Sequence, residues 1–414
     1  MDSSHSTTVN QQSIGQLFRD FGEVYIRKFN HPLHHIKLIR AIRVCKTPTL
    51  GGRVILCKKC GHEHFIYLSC GHSHCPLCQS IKRIQWQEKI KNKLLAVPYI
   101  HSVFTVPQEI HFLFKANPKV MYNLLLRTAW LSVKTLCRDP DNVGGLPGMI
   151  SVLHSFGSDL KFHPHVHALI TFGGWNTKKK NWVFPKRKFK LAKFSDTSNT
   201  FRDIFIKNVE RLIDKNKIQD HGKWPQVKIL IQNKRWNVAN SKPSFDTEHI
   251  ELYLARYINR QAVSQNKIQY LKDTQQVHIL YNDYKNQIAG QPAPKATKKL
   301  HPIDAIAQIM QHVLPPYFQK SRYFGIHHHV TWKQIKDIVP KSLMRHSFTP
   351  RTTFQILKQL IKDQNPFQCA ACKSTDYQIQ NIKPDSNWVK SFLWPIQNKG
   401  DPFYGLTKLK PQYS

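Results

Sequence analysis

The chain has 414 residues, 41% of them hydrophobic, enough to bury the cores of two or three domains and too many for a disordered tail. Its 62 Lys and Arg oppose 25 Asp and Glu, a formal charge of +37. An excess that large repels itself unless a polyanion shares the surface, which points to nucleic acid. No apolar run approaches the roughly 18 residues of a membrane span and no signal-peptide core opens the sequence, so a soluble intracellular protein is expected.

Residues 1–12 are polar and are expected to be disordered. "SIGQLFRDFGEVYIRKF" then carries Ile14, Leu17, Phe18, Phe21, Val24 and Tyr25 at helical spacing. "HHIKLIRAIRVC" reads as a second helix, and "QSIKRIQWQEKIKNKLLAV" as a basic amphipathic one. "YIHSVFTVP" is a strand stopped by Pro107, residues 116–138 form a long helix, and "MISVLHSFG" and "HPHVHALITFGG" are neighbouring strands. A helix is expected at 199–214, a short strand at "QVKILIQ", a helix at "HIELYLARYINRQAV" and a strand at "QVHILYNDY". "GQPAPKATKKLHP" reads as a Pro-rich basic connector, followed by a helix at 302–312. Strands alternating with helices over 97–290 predict an α+β domain with an antiparallel sheet.

Nine cysteines stand at 45, 57, 60, 70, 75, 78, 137, 369 and 372. Their odd number and paired spacing suit metal binding better than a disulfide framework. Cys57-x2-Cys60 and Cys75-x2-Cys78 can bring four thiolates onto one Zn²⁺ ion. Four thiolates leave no open position, so the site is expected to be structural. Cys70, His62, His64 and His74 are left over beside it. Cys369 and Cys372 make half a site, completed by groups such as His327, His328, His329 or His346.

Side chains alternate along a strand. His163, His165, His167, Leu169 and Thr171 therefore share one face, and Pro164, Val166, Ala168 and Ile170 the other. Imidazoles two apart are about 6.6 Å apart along a strand, close enough for two to converge on a divalent ion. "YLARYINR" sets Tyr253 and Tyr257 nearly in line on a helix, flanked by Arg256 and Arg260. A tyrosine can be a covalent nucleophile, and arginines beside it meet phosphate. The basic stretch 177–194 interleaves Trp182, Phe184, Phe189 and Phe194, a composition suited to following and stacking a single strand.

With these features assembled, the chain resembles the two-tyrosine HUH rolling-circle transposases of the insertion-sequence group IS ninety-one. The resemblance runs from about residue 15 to 330. It rests on "SCGHSHCPLCQ", "VPYIHSVFTVPQEI", "LHSFGSDLKFHPHVHALITFGG", "SKPSFDTEHIELYLARYINRQAVS" and "HVLPPYFQKSRYFGI", in that order. HUH denotes His, bulky hydrophobe, His, here His165-Val166-His167. The family usually has "CRNRHCPKCQ" where this chain has "CGHSHCPLCQ", which removes an arginine before His74 and keeps the cysteines.

The resemblance implies a helical zinc-binding and DNA-binding domain at 1–95, an HUH nuclease domain at 96–290 with a central antiparallel sheet flanked by helices, and a basic C-terminal region at 291–414. It implies Mg²⁺ or Mn²⁺ on His165 and His167, with His154 of "LHSFG" as third ligand and His163 next in line. It implies Tyr253 or Tyr257 attacking single-stranded DNA at the element's ends to give a 5′-phosphotyrosine, in a cytoplasmic, nucleoid-associated bacterial protein. An HUH replication initiator or relaxase, and a zinc-containing DNA-binding protein without catalysis, are the alternatives.

Overall fold

The structure, a computed structural model, describes residues 11–385 apart from 92, 189, 245, 247–249, 251–261, 263–266, 285, 289, 345–348, 350, 353–354 and 357–367. The chain forms two compact units that are interleaved in sequence rather than consecutive. One takes residues 1–83, 263–310 and 351–414, the other 84–262 and 311–350. Residues 263–290 thus belong with the N-terminal stretch, and 311–350 with the unit that carries the histidines.

In the first unit, helix α1 (Ile14–Lys28) is capped by Ser13, whose hydroxyl accepts from Gln16 N at 3.3 Å. Its three-and-four spacing buries Ile14, Leu17, Phe18 and Tyr25 against α2 (Leu33–Val44) and α8 (Pro302–Met310). The unit also holds two antiparallel sheets: the strand read in "QVHILYNDY" lies in one, and two strands of the other lie within 1–95, the stretch expected to be helical. One has the order β1-β10-β11-β12: β1 (Gln11–Gln12), β10 (Ile268–Leu271), β11 (Gln276–Asn282) and β12 (Lys295–Leu300). Strand β12 lies in the stretch read as a connector. It is an edge strand, and the lysines that made it look like a linker are what such an edge carries. The other sheet has the order β14-β2-β3: β2 (Gly52–Cys57), β3 (Glu63–Tyr67) and β14 (Tyr377–Ile382).

The second unit is built on a five-stranded antiparallel sheet of order β13-β5-β6-β4-β9. Its strands are β4 (Tyr99–Thr105), β5 (Gly148–Phe156), β6 (Phe162–Thr171), β9 (Asn237–Asn240) and β13 (Ser321–Gly325). Val166, Ala168 and Ile170 of β6 share one face with Ile100, Phe104, Met149 and Leu153. Helices α4 (His111–Ala116), α5 (Pro118–Arg138), α6 (Phe194–Asp214) and α7 (Trp224–Gln232) cover it. The opposite face carries Tyr99, Ile150, Val152 and Leu169 beneath Ile90 of α3 (Ser80–Lys91), Leu94, Ile250, Ile326 and Ile335 of α9 (His329–Ile335). With both faces closed, all nine residues of β5 are buried. A hairpin, β7 (Gly174–Asn176) and β8 (Asn181–Val183), follows β6.

"QVKILIQ" is helical in α7, where the sequence reading expects a strand. Pro225 sits in its first turn, and Trp224 and Ile231, seven apart, form its buried stripe while Ile229 and Leu230 face out. A short apolar run does not by itself separate a buried strand from a helix. Among the described residues no helix is long and apolar enough to cross a membrane.

Phe104 is fully buried, with its ring 5.2 Å from that of Phe201. Phe104→Ala is expected to lower unfolding free energy by about 3–5 kcal/mol. Phe184→Ala, on an exposed side chain, should change it by less than about 0.5 kcal/mol. Denaturant midpoints of both variants check the difference.

Candidate metal centres and the histidine face

The pairing of β5 with β6 sets His154 directly opposite His165, and Val152 opposite His167. Facing residues in an antiparallel pair share a side of the sheet, so three imidazoles from two strands come together. All three are buried, and one ligand atom from each lies within 4.8 Å of the other two. Sequence reading allowed two imidazoles from one strand; the third arrives across the ladder rather than along it.

The hairpin that joins these strands is anchored beneath the site. Its register shifts between His154 and Phe156, and Leu160 at its tip takes a left-handed conformation with φ 60°. The Leu160 carbonyl accepts from Gln311 Nε2 at 3.0 Å and from His312 Nε2 at 2.9 Å. His312 Nδ1 lies 3.3 Å from the Ser155 hydroxyl, beside His154. Burial holds the His312 imidazole down to about 4, so it stays neutral and keeps these bonds at neutral pH.

Two of the rings are oriented by hydrogen bonds. His165 Nδ1–H donates to the His163 carbonyl at 2.7 Å, which turns its Nε2 inward. His165 Nε2 and His167 Nε2 lie 3.1 Å apart. Two ring nitrogens that close need a proton or a cation between them. On its far side, His167 Nδ1 shares a hydrogen bond with His101 Nε2 at 3.0 Å, and the two rings stack with centroids 5.2 Å apart. Burial, with the neighbouring His165, pushes His101 down to about 3, which keeps it neutral. His101 lies on β4 and was not singled out from sequence. The strand was legible in "YIHSVFTVP", but the β4–β6 register that brings His101 to His167 was not. His163 contributes its carbonyl; its imidazole is not among the three converging rings.

Tyr253, Arg256, Tyr257 and Arg260 lie outside the described residues. Just before them, Ile250 N donates to the Asp246 carbonyl at 3.1 Å, and the Ile250 side chain packs in the cluster that covers the histidine face. In the basic stretch, Trp182 is half-buried against that cluster and Phe184 is exposed. Phe189 and the side chain of Phe194 are outside the described residues.

The cysteines correct the sequence reading. Cys57, Cys60, Cys75 and Cys78 do not meet at one point: they are divided between two four-thiol clusters. One joins Cys45, Cys70, Cys75 and Cys78; the other joins Cys57, Cys60, Cys369 and Cys372. The Cys70 and Cys78 sulfurs are 3.8 Å apart, and Cys70 N donates to the Cys45 sulfur at 3.4 Å. A zinc–sulfur length of about 2.3 Å gives a tetrahedral edge of about 3.8 Å, so the spacing suits Zn²⁺. Cys45 ends α2, and Cys70 stands five residues before Cys75. Neither makes a Cys-x-x-Cys pair, so the commoner spacing hid them. Cys369 and Cys372 take cysteine partners, not the histidines weighed for them. The ninth cysteine, Cys137, is buried on α5.

Comparison with known proteins bears on these sites. A family model described as "Transposase zinc-binding domain" matches residues 17–106, and one described as "Putative transposase" matches residues 148–334. The chain is 30% identical over 322 residues to "Putative transposase y4qJ" of Sinorhizobium fredii, covering 75% of this chain and 79% of that protein. It is 23% identical over 343 residues to "Transposase for insertion sequence element IS801" of Pseudomonas savastanoi pv. phaseolicola, covering 81% of each. No solved structure matches the chain. The zinc-binding match and the cysteine clusters together support structural Zn²⁺, and the transposase matches make DNA the partner. The chain belongs to the IS91 family of insertion-sequence transposases, enzymes that act on DNA, with a zinc-binding domain in its N-terminal part.

Proposed function

We propose that this transposase nicks and rejoins single-stranded DNA at the ends of an insertion sequence through a 5′-phosphotyrosine, the chemistry of rolling-circle transposition. The observation that carries the reading is the convergence of His154, His165 and His167 on one face of the sheet. Two ligands at about 2.1 Å from an ion and at right angles stand about 3.0 Å apart. The 3.1 Å between His165 and His167 fits that separation. The three rings would hold Mg²⁺ or Mn²⁺ and leave its remaining positions to oxygen. Bound there, the ion would draw charge from a phosphoryl oxygen.

The chain's own residues do the rest. Tyr253 or Tyr257 attacks the scissile phosphorus through its phenolic oxygen. The bond to the 3′-oxygen breaks, and that oxygen leaves as a 3′-hydroxyl once it takes a proton. The phosphodiester is exchanged rather than hydrolysed, so a later 3′-hydroxyl can attack the phosphotyrosine and reseal the strand without nucleotide hydrolysis. The second tyrosine allows a second transfer within one subunit. Ile250 supports this assignment, because it packs on the histidine face. On a helical reading of the sequence, Tyr253 and Tyr257 follow it by three and seven residues, on one stripe. Arg256 and Arg260 would meet the phosphates as charge-assisted donors.

With Mg²⁺ and single-stranded DNA from the element's end, a denaturant-resistant protein–DNA adduct is expected. Tyr253→Phe with Tyr257→Phe should abolish it, as should His165→Ala with His167→Ala; an adduct that survives the double tyrosine change overturns the assignment. His101 acts through His167 as a positioning residue. His101→Ala should raise the Mn²⁺ concentration needed for half-maximal nicking about 10–100-fold, with activity largely recovered at saturating metal. An unchanged metal midpoint would deny it that role.

A further inference from the structure

We infer that Cys57, Cys60, Cys369 and Cys372 form a second zinc site, a zinc ribbon whose two halves lie at distant points of the chain. Half of its ligands fall beyond residues 17–106, the stretch that matches the zinc-binding domain. The Cys57 and Cys372 sulfurs are 3.5 Å apart, and those of Cys60 and Cys369 are 3.7 Å apart. A disulfide would need about 2.05 Å. The tetrahedral edge around zinc is about 3.8 Å, close to both distances.

The two halves have the same backbone. Gly61 N donates to the Cys57 carbonyl at 2.9 Å, and Cys57 N donates to the His62 carbonyl at 3.0 Å. In the second half, Lys373 N donates to the Cys369 carbonyl at 3.0 Å, and Cys369 N donates to the Ser374 carbonyl at 2.8 Å. The residue after each second cysteine is left-handed, Gly61 at φ 71° and Lys373 at φ 61°. Glycine takes that conformation freely and lysine does not, so the turn at Lys373 is held by what surrounds it. Two copies of one turn, facing each other with four sulfurs between them, are the geometry of paired zinc knuckles.

The sheet fixes their meeting. Strand β14 pairs with β2 from Ile382↔Gly52 to Tyr377↔Cys57, which brings the chain just before β14 to the Cys57–Cys60 turn. Lys58 N donates to the Asp376 carbonyl at 3.1 Å, and Lys58 Nζ lies 3.4 Å from the Asp376 carboxylate. Four thiolates fill the ion's coordination, so the site holds structure and does no chemistry. Both segments of the histidine-bearing unit, 84–262 and 311–350, lie between the ligand pairs in sequence. One ion therefore closes the chain across that whole unit.

The test is metal content and thiol reactivity of the full chain. Purified protein should hold two zinc ions, and Cys369→Ser with Cys372→Ser should hold one. Substituted with Co²⁺, the wild type should show about twice the thiolate-to-cobalt charge-transfer absorbance of that variant. Cys60 is exposed and Cys372 partly so, so free thiols there would alkylate quickly. In native protein both should resist iodoacetamide and become reactive together on chelation. One zinc per chain, with Cys369 and Cys372 alkylated in native protein, would overturn the inference. A variant that keeps two zinc ions would overturn it as well.

Discussion

The ladder between β5 and β6 is what brings the three histidines together. Its register sets His154 opposite His165, and the alternation of the strand adds His167 on the same side. Slipping the pairing by one residue would turn His165 and His167 toward α5 and α6 and bring Val166 to the side His154 occupies. That slip would bury unpaired imidazoles in an apolar core, and Val166, Ala168 and Ile170 pack there instead. The apolar face therefore holds the register that the polar face needs.

Around that ladder the supports are of two kinds. The His163 carbonyl and His101 orient His165 and His167 through their Nδ1 atoms, which leaves both Nε2 atoms facing each other, and His312 holds the hairpin tip. Apolar residues such as Ile250 and Ile335 pack with Val152 and Leu169 on the same side of the sheet. The chain's formal charge of +37 draws DNA to the protein without help from the site itself. In the other unit the cysteine clusters stand beside an apolar core built from α1, α2 and α8. Zinc binding is coupled to folding, so metal there contributes directly to holding short strands such as β3, most of which is exposed.

Local pattern made much of this legible in the sequence. The periodicity of α1, the long helix α5 and the strands β4, β5 and β6 could be read directly, as could the inequality of the two faces of β6. Whatever depends on pairing between distant strands was not legible. His101 reaches the triad through a register, Cys369 and Cys372 reach Cys57 and Cys60 through β14, and both are invisible to spacing. The pair Cys57–Cys60 and Cys75–Cys78 matched a familiar zinc spacing, and that match concealed the true partition, in which Cys45 and Cys70 serve beside Cys75 and Cys78. The helix α7 was misread because seven apolar-rich residues carry no decisive period.

The central claim is that His154, His165 and His167 hold one divalent cation against DNA. It is tested most directly by an anomalous-scattering map of crystals grown with Mn²⁺ and a single-stranded element end. The account requires one manganese peak bonded to ring nitrogens of all three histidines, with a DNA phosphate oxygen completing the coordination. A well-ordered complex with manganese bound elsewhere on the scissile phosphate and the three histidines bare would contradict it.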